Sequence, residues 1–330
     1  MNAHATSLAG GRPAIPHATI SRAVAVVFPG QGSQKPGMAR DFHDAFATSR
    51  DAFAEASDAL NLDVAALCFG DDPRLDRTEF TQPAILTAEI AMMRALEREF
   101  GLRPTHFGGH SLGEYTALCA AGVLSLGTAV RLVRRRGALM QDAVPVGEGA
   151  MVAVVADGVA DLGLEREIAR LGVDVANRNS MNQIVLSGER GGVEAASALV
   201  AQLLGGAPHE IIALNVSAPF HSRRLRGIEA EFRGALVAVA PELAPSRAGV
   251  VTSNLTGRFH RPELEPLLDA LTRQLSGTVD WIGNMRALGD AASEIYEVGP
   301  GRPLRGFFKS AGREVTAILS VKTAEKGLRS

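Results

Sequence analysis

The stretch "GGHSLGEYTALCAAG", residues 108–122, sets Ser111 between Gly109 and Gly113, with His110 beside it and a helical run behind. In a Gly-x-Ser-x-Gly pattern the glycines relieve crowding at a sharp strand-to-helix turn that lifts the serine hydroxyl above a sheet. The helix that follows directs free N–H groups at developing negative charge. Such a serine suits acyl chemistry, although the same five residues also describe a buried turn. Context must decide between them. "FPGQGSQ" (28–34) is a Gly-rich loop that can bring a backbone N–H beside Ser111 and complete an oxyanion hole. It is not a Walker loop, because the closing Gly-Lys-Ser/Thr is missing, and Gly30 and Gly32 lack the third glycine of a dinucleotide fingerprint.

A serine nucleophile needs a base. Of eight histidines, two have informative surroundings. His110 adjoins the serine, but neighbours at a sharp turn diverge. His221, in "NVSAPFHS", follows a predicted strand and a proline, at a fixed loop edge from which it can reach the sheet top. Spacing identifies no acid to complete a triad, which leaves open a Ser–His dyad oriented by a backbone carbonyl.

The helix "LGTAVRLVRRRGALMQDAV" carries the sharpest clue. At about 100° per residue, Ala129, Leu132, Val133, Leu139, Met140 and Ala143 share one face, while Arg131, Arg134, Arg135 and Asp142 take the other. Arg136 falls in the middle of the apolar face. A buried guanidinium is costly unless an anion pairs with it, and its planar fork suits a carboxylate. Arg136 is therefore half of a structural ion pair or the binder of a substrate carboxylate. The serine ahead of the same region favours the second.

The elements that must position these residues alternate between strand and helix. "AVAVVF" (23–28) and "THFGGHS" read as buried strands, separated by helical spacing over about 48–60 and 79–99, which favours a parallel sheet. After "PVGEG" a βαββαβ order fits a small ferredoxin-like α+β subdomain inserted over 148–216. Residues 22–147 and 217–330 then form an α/β-hydrolase-like core with a mostly parallel sheet, including helices near 222–237 and 262–275 and a strand "EIYEV". Residues 1–21 read as a flexible extension rather than a signal peptide.

Composition places limits on function. The chain has 330 residues, 46% hydrophobic and 21% charged, near globular averages. A net charge of −2 provides no broad attraction for nucleic acid or an anionic membrane, so neither is expected as a partner. Cys68 and Cys119 lack metal or redox spacing, which fits free thiols in the cytoplasm. No partner surface is advertised, and a monomer is expected.

Taken together, "FPGQGSQ", "TQPA" (81–84), "GHSLGEY", "RGALMQ" (136–141), "ANRNSMNQIVLSG" (176–188), "SAPFHS" (217–222) and "YEVGPG" (296–301) occur in an order that resembles the malonyl-CoA:acyl carrier protein transacylase family and polyketide synthase acyltransferases. The resemblance implies Ser111 as acyl-carrying nucleophile, His221 as its base, and Gln31 and Leu112 as oxyanion-hole N–H donors. It implies that Arg136 binds the malonyl carboxylate, beside His110 and Phe220, with Phe220 crowding a branched acyl unit. It matches Gln274 to the residue whose carbonyl orients the histidine, and Asn177 and Asn179 to positions facing coenzyme A, although "NSMNQ" departs from the usual Asn-Ser-Pro before the glutamine. The implied reaction moves malonyl from malonyl-CoA to an acyl carrier protein for fatty acid or polyketide synthesis, with no metal or redox cofactor. An acyl hydrolase of similar architecture and a noncatalytic carrier-docking module are the rivals. Arg136 argues against the first and the intact Ser and His against the second.

Overall fold

The computed structural model describes residues 23–145, 147–216 and 218–328. The expected extension, 1–21, lies outside the described residues. The apolar run opens the chain as β1 (Val24–Phe28), followed by α1 (Arg40–Ala45), α2 (Ala47–Leu60), α3 (Val64–Phe69), α4 (Thr78–Glu99), β2 (His106–Gly109), α5 (Leu112–Ala120) and α6 (Leu126–Asp142). A second run holds β3 (Gly149–Ala156), α7 (Glu165–Ala169), β4 (Val173–Ser180), β5 (Gln183–Glu189), α8 (Arg190–Leu204) and β6 (His209–Ala213). The chain continues through α9 (Glu229–Val239), β7 (Thr252–Ser253), β8 (Arg258–Phe259), α10 (Leu264–Arg273) and β9 (Val279–Asp280). It ends with α11 (Trp281–Ala291), β10 (Glu294–Val298), α12 (Pro303–Ser310), β11 (Thr316–Ile318) and α13 (Val321–Leu328).

The first sheet has the order β11-β10-β1-β2 and is parallel throughout. Ala25 to Phe28 are fully buried, as a strand covered by helices on both faces requires. Phe28 pairs with Gly109, so β1 and β2 end side by side and deliver the "FPGQGSQ" loop and Ser111 to one edge of the sheet. Carboxyl ends of parallel strands are where such folds place ligands.

The second sheet has the order β6-β3-β5-β4-β9, with the first four strands paired antiparallel. Helix α8 packs its apolar stripe, Val193, Ala196 and Val200, against that sheet in a separate apolar cluster with Ile184 and Leu186. The fifth strand, β9, adds parallel to β4 (Asn177 opposite Val279) and comes from outside 148–216, so the later chain is stitched into this sheet. Strands β7, β8, β9 and β11 are two or three residues long, too short to show a period in the sequence. The helix expected near 222–237 begins instead as a 3-10 turn, Arg223–Ile228, and becomes α-helical at Glu229. Among the described residues no helix is long and apolar enough to cross a membrane.

Candidate active site

Ser111 sits between β2 and α5 with φ 52° and ψ −101°, a strained conformation for a residue with a Cβ. The turn is tight enough to demand its glycines. A Cβ on Gly109 would lie 2.0 Å from the Gly113 carbonyl oxygen, and one on Gly113 would lie 2.2 Å from that of Phe28. Asn254 pins the strained turn from below: its Oδ1 accepts from the Ser111 N–H at 2.6 Å and its Nδ2 donates to the Gly109 carbonyl at 2.7 Å.

His221 reaches this serine from 110 residues away, with Nε2 2.7 Å from Ser111 Oγ. Its Nδ1 lies 2.8 Å from the Gln274 carbonyl oxygen, which can only accept, so the proton sits on Nδ1 and the Nε2 lone pair faces the hydroxyl. Burial, with the nearby charge of Arg136 adding to it, pulls the His221 pKa down to about 3, against the hydrogen bond that its Nδ1–H donates to the Gln274 carbonyl. The ring is therefore neutral at neutral pH and ready to take a proton. The orienting group that sequence spacing could not supply is a main-chain carbonyl at the end of α10.

Arg136, 1% exposed, lies on the core face of α6 as its helical phase requires. Its NH2 donates to Ser111 Oγ at 3.1 Å and Gln274 Oε1 at 2.9 Å, and its NH1 donates to Gln82 Oε1 at 3.0 Å. The Tyr115 ring stacks beneath it, 5.2 Å from the guanidinium carbon. Among the described residues Arg136 has no ion pair within 4.0 Å and its Nε has no hydrogen-bond partner, while its neighbours on α6, Arg134 and Arg135, pair with Glu79 and Glu231. A buried cation bonded only to neutral groups, beside a nucleophile, is a site prepared for an anionic ligand.

Leu112 opens α5, so its N–H has no intrahelical partner. The "FPGQGSQ" loop packs against the same turn: a Cβ on Gly30 would lie 2.4 Å from the His110 carbonyl oxygen. Gln31 follows directly, its side chain anchored to Thr78 Oγ1 at 3.1 Å. Phe220 is buried next to His221. His110 turns away from the serine, with Nε2 2.8 Å from Asn179 Oδ1, and Asn179 Nδ2 donates onward to Gln183. Asn177 and Asn179 are only 5% and 6% exposed, and Asn177 Nδ2 has no partner among the described residues.

Four residues of this cluster carried no role in the sequence reading: Gln82, Glu114, Asn254 and His260. Gln82 and Glu114 lie inside quoted motifs, and Glu114 is the lone charge in an apolar helix, which was the available signal. Asn254 and His260 lie in short loops that only the fold brings under Ser111. Glu114 gathers them, its Oε1 2.7 Å from His260 Nε2 and its Oε2 accepting from Asn254 N at 3.0 Å and Gln274 Nε2 at 2.7 Å.

A hydroxyl on a strained elbow with a neutral imidazole on its Oγ has the geometry that serine-dependent acyl chemistry on a parallel α/β sheet requires. Residues 25–264 match the acyl transferase domain family. The chain belongs to that family, among the malonyl CoA-acyl carrier protein transacylases. It is 39% identical over 300 residues to the malonyl CoA-acyl carrier protein transacylase of Escherichia coli O157:H7, covering 89% of this chain and 94% of that one. It is 37% identical over 312 residues to the Bacillus subtilis protein of the same name, covering 93% and 76%. The crystal structure of FabD from Acinetobacter baumannii superposes with a TM-score of 0.83 at 38% identity, covering 93% of this chain and 97% of the other. A malonyl-transacylase in complex with its type II polyketide synthase acyl carrier protein superposes at 0.84 with 33% identity, covering 93% and 99%.

Proposed function

We propose that this enzyme transfers a malonyl group from malonyl-CoA to the phosphopantetheine thiol of an acyl carrier protein, through a malonyl ester on Ser111. The observation that carries the reading is Arg136: a buried guanidinium with only neutral partners, bonded to the same Oγ that His221 approaches. His221 Nε2 removes the Ser111 proton as Oγ attacks the thioester carbonyl. The N–H groups of Leu112 and Gln31 hold the oxyanion, and the coenzyme A sulfur leaves with the proton from His221. In the second half the carrier thiol gives its proton to His221, attacks the ester and restores the hydroxyl of Ser111. A malonyl carboxylate on Arg136 also offsets the charge that helps depress His221, so binding this acyl group makes the base stronger.

Phe220, buried beside His221, crowds a branched unit, and His110, held by Asn179, takes part in binding the acyl substrate. Asn177 Nδ2 is the polar atom left for the coenzyme A arm. Residues 148–216 form the small subdomain over this arm, and 22–147 with 217–330 form the large one. No step calls for a metal or redox cofactor, and the free thiols fit a cytoplasmic monomer. The test is to incubate the protein with malonyl-CoA, with and without phosphopantetheinylated carrier protein. Coenzyme A release matched by malonyl-carrier is expected. Equal, sustained release of coenzyme A and malonate without carrier would instead identify an acyl hydrolase.

A further inference from the structure

Arg136 and Glu114 are 1% and 0% exposed, and no direct ion pair joins them. They are nevertheless linked through one side chain. Gln274 accepts from Arg136 NH2 on Oε1 at 2.9 Å and donates from Nε2 to Glu114 Oε2 at 2.7 Å. The amide is polarised in the sense that suits both charges, cation at its oxygen and anion at its N–H. The remaining contacts of Glu114 are the His260 ring and the Asn254 N–H. Every other polar partner of Arg136 is neutral.

We propose that Glu114 is the counter-ion of Arg136, acting across the Gln274 amide as a positioning residue that leaves the guanidinium fork open for an acyl carboxylate. A carboxylate in direct contact would occupy the fork and compete with the substrate. With no carboxylate nearby, Arg136 would be a lone buried charge, which proteins seldom tolerate. Placing the acid one amide away meets both demands. It also couples the halves of the site, because the same Gln274 presents the carbonyl that orients His221 and donates to the Ser111 carbonyl. This rests on the reading of Arg136 as the carboxylate binder.

The test is a double-mutant cycle on the full chain. Glu114→Gln is nearly isosteric: its amide oxygen can accept from Asn254 and Gln274 while its NH2 takes the place that faces the His260 ring. Arg136→Met removes the cation at similar length. The proposal predicts that Glu114→Gln lowers Tm and that adding Arg136→Met recovers part of the loss, with the double variant at least about 3 °C above the additive expectation. If Glu114→Gln alone does not fold, the double variant should. Additive losses, or failure of both proteins to fold, would overturn the proposal and assign Glu114 to His260 and Asn254 alone. A kinetic arm uses Glu114→Gln itself: KM for malonyl-CoA should fall relative to KM for acetyl-CoA, since an anion near the fork has been neutralised. Equal shifts for both substrates would contradict the proposal. The melting cycle needs no turnover, so malonyl loading by the unmodified enzyme tests the transfer reading separately.

Discussion

Replacing Arg136 with alanine tests the link between burial, charge and acyl selectivity. Two effects separate cleanly. The first is general: the substitution removes a donor to Ser111 Oγ at 3.1 Å and leaves Gln82 Oε1 and Gln274 Oε1 unpaired, which harms the reaction whatever the acyl group. The second is specific to an acyl group that ends in a carboxylate. A charge-assisted hydrogen bond contributes about 1.5–3 kcal/mol, so a two-pronged contact with a buried fork amounts to roughly 3 kcal/mol or more. At 1.36 kcal/mol for each factor of ten, that is about 150-fold in kcat/KM for malonyl-CoA relative to acetyl-CoA. The assay loads radiolabelled malonyl-CoA and acetyl-CoA onto Arg136→Ala and the unmodified enzyme under single turnover. The ratio of the two kcat/KM values cancels the general effect. A ratio within about threefold of the unmodified enzyme would refute the carboxylate role, since that is under 1 kcal/mol.

The depressed pKa of His221 makes two further predictions. Folded at about 3 and unfolded at about 6.5, this histidine binds a proton only in the unfolded state between those values, so its contribution makes stability fall as pH drops through that window, by about 1.4 kcal/mol per unit. The kcat/KM for malonyl-CoA should show no acid limb from His221 between pH 5 and 8, and urea melts over the same range should show the loss. An acid limb near pH 6.5 would contradict the assigned environment. In Arg136→Ala the second cause of the depression is gone, so any acid limb in acetyl loading should move upward. Asn254→Ala should lower kcat for every acyl-CoA by 10-fold or more at similar KM and cost about 1–3 kcal/mol in stability, because the strained Ser111 N–H and the Gly109 carbonyl lose their partner. Unchanged kcat would exclude Asn254 from holding the elbow. Gly113→Ala should abolish soluble expression or loading, since its Cβ meets the Phe28 backbone at 2.2 Å.

Much of the architecture was readable because it repeats. Helix α6 is 17 residues long and keeps its apolar stripe throughout, and its phase alone placed Arg136 on the core face, where it is found. The order of strands and helices between β3 and β6 was equally plain. The two-residue strands were not, and β9 is held in place by its pairing with β4 rather than by its own residues. In the site, Ser111 and His221 announced themselves through glycine spacing and a proline-fixed loop. What orients them did not show in the spacing, and Gln274 was matched through the family resemblance alone. A main-chain carbonyl from Gln274 has no side-chain signature, and Asn254 and His260 acquire meaning only when the loops around β7 and β8 fold beneath Ser111. The lone Glu114 in an apolar helix was a signal whose partner the sequence could not name.

The central claim, a malonyl group carried on Ser111 and handed to a carrier thiol, is open to one direct measurement. The enzyme is pulsed with labelled malonyl-CoA, freed of excess substrate, digested and sequenced by mass spectrometry, before and after a chase with phosphopantetheinylated carrier protein. The account predicts label on the peptide containing Ser111 before the chase and on the carrier phosphopantetheine after it, with none on Ser111→Ala. Label absent from Ser111, or lost to water at the same rate with and without carrier, would contradict it.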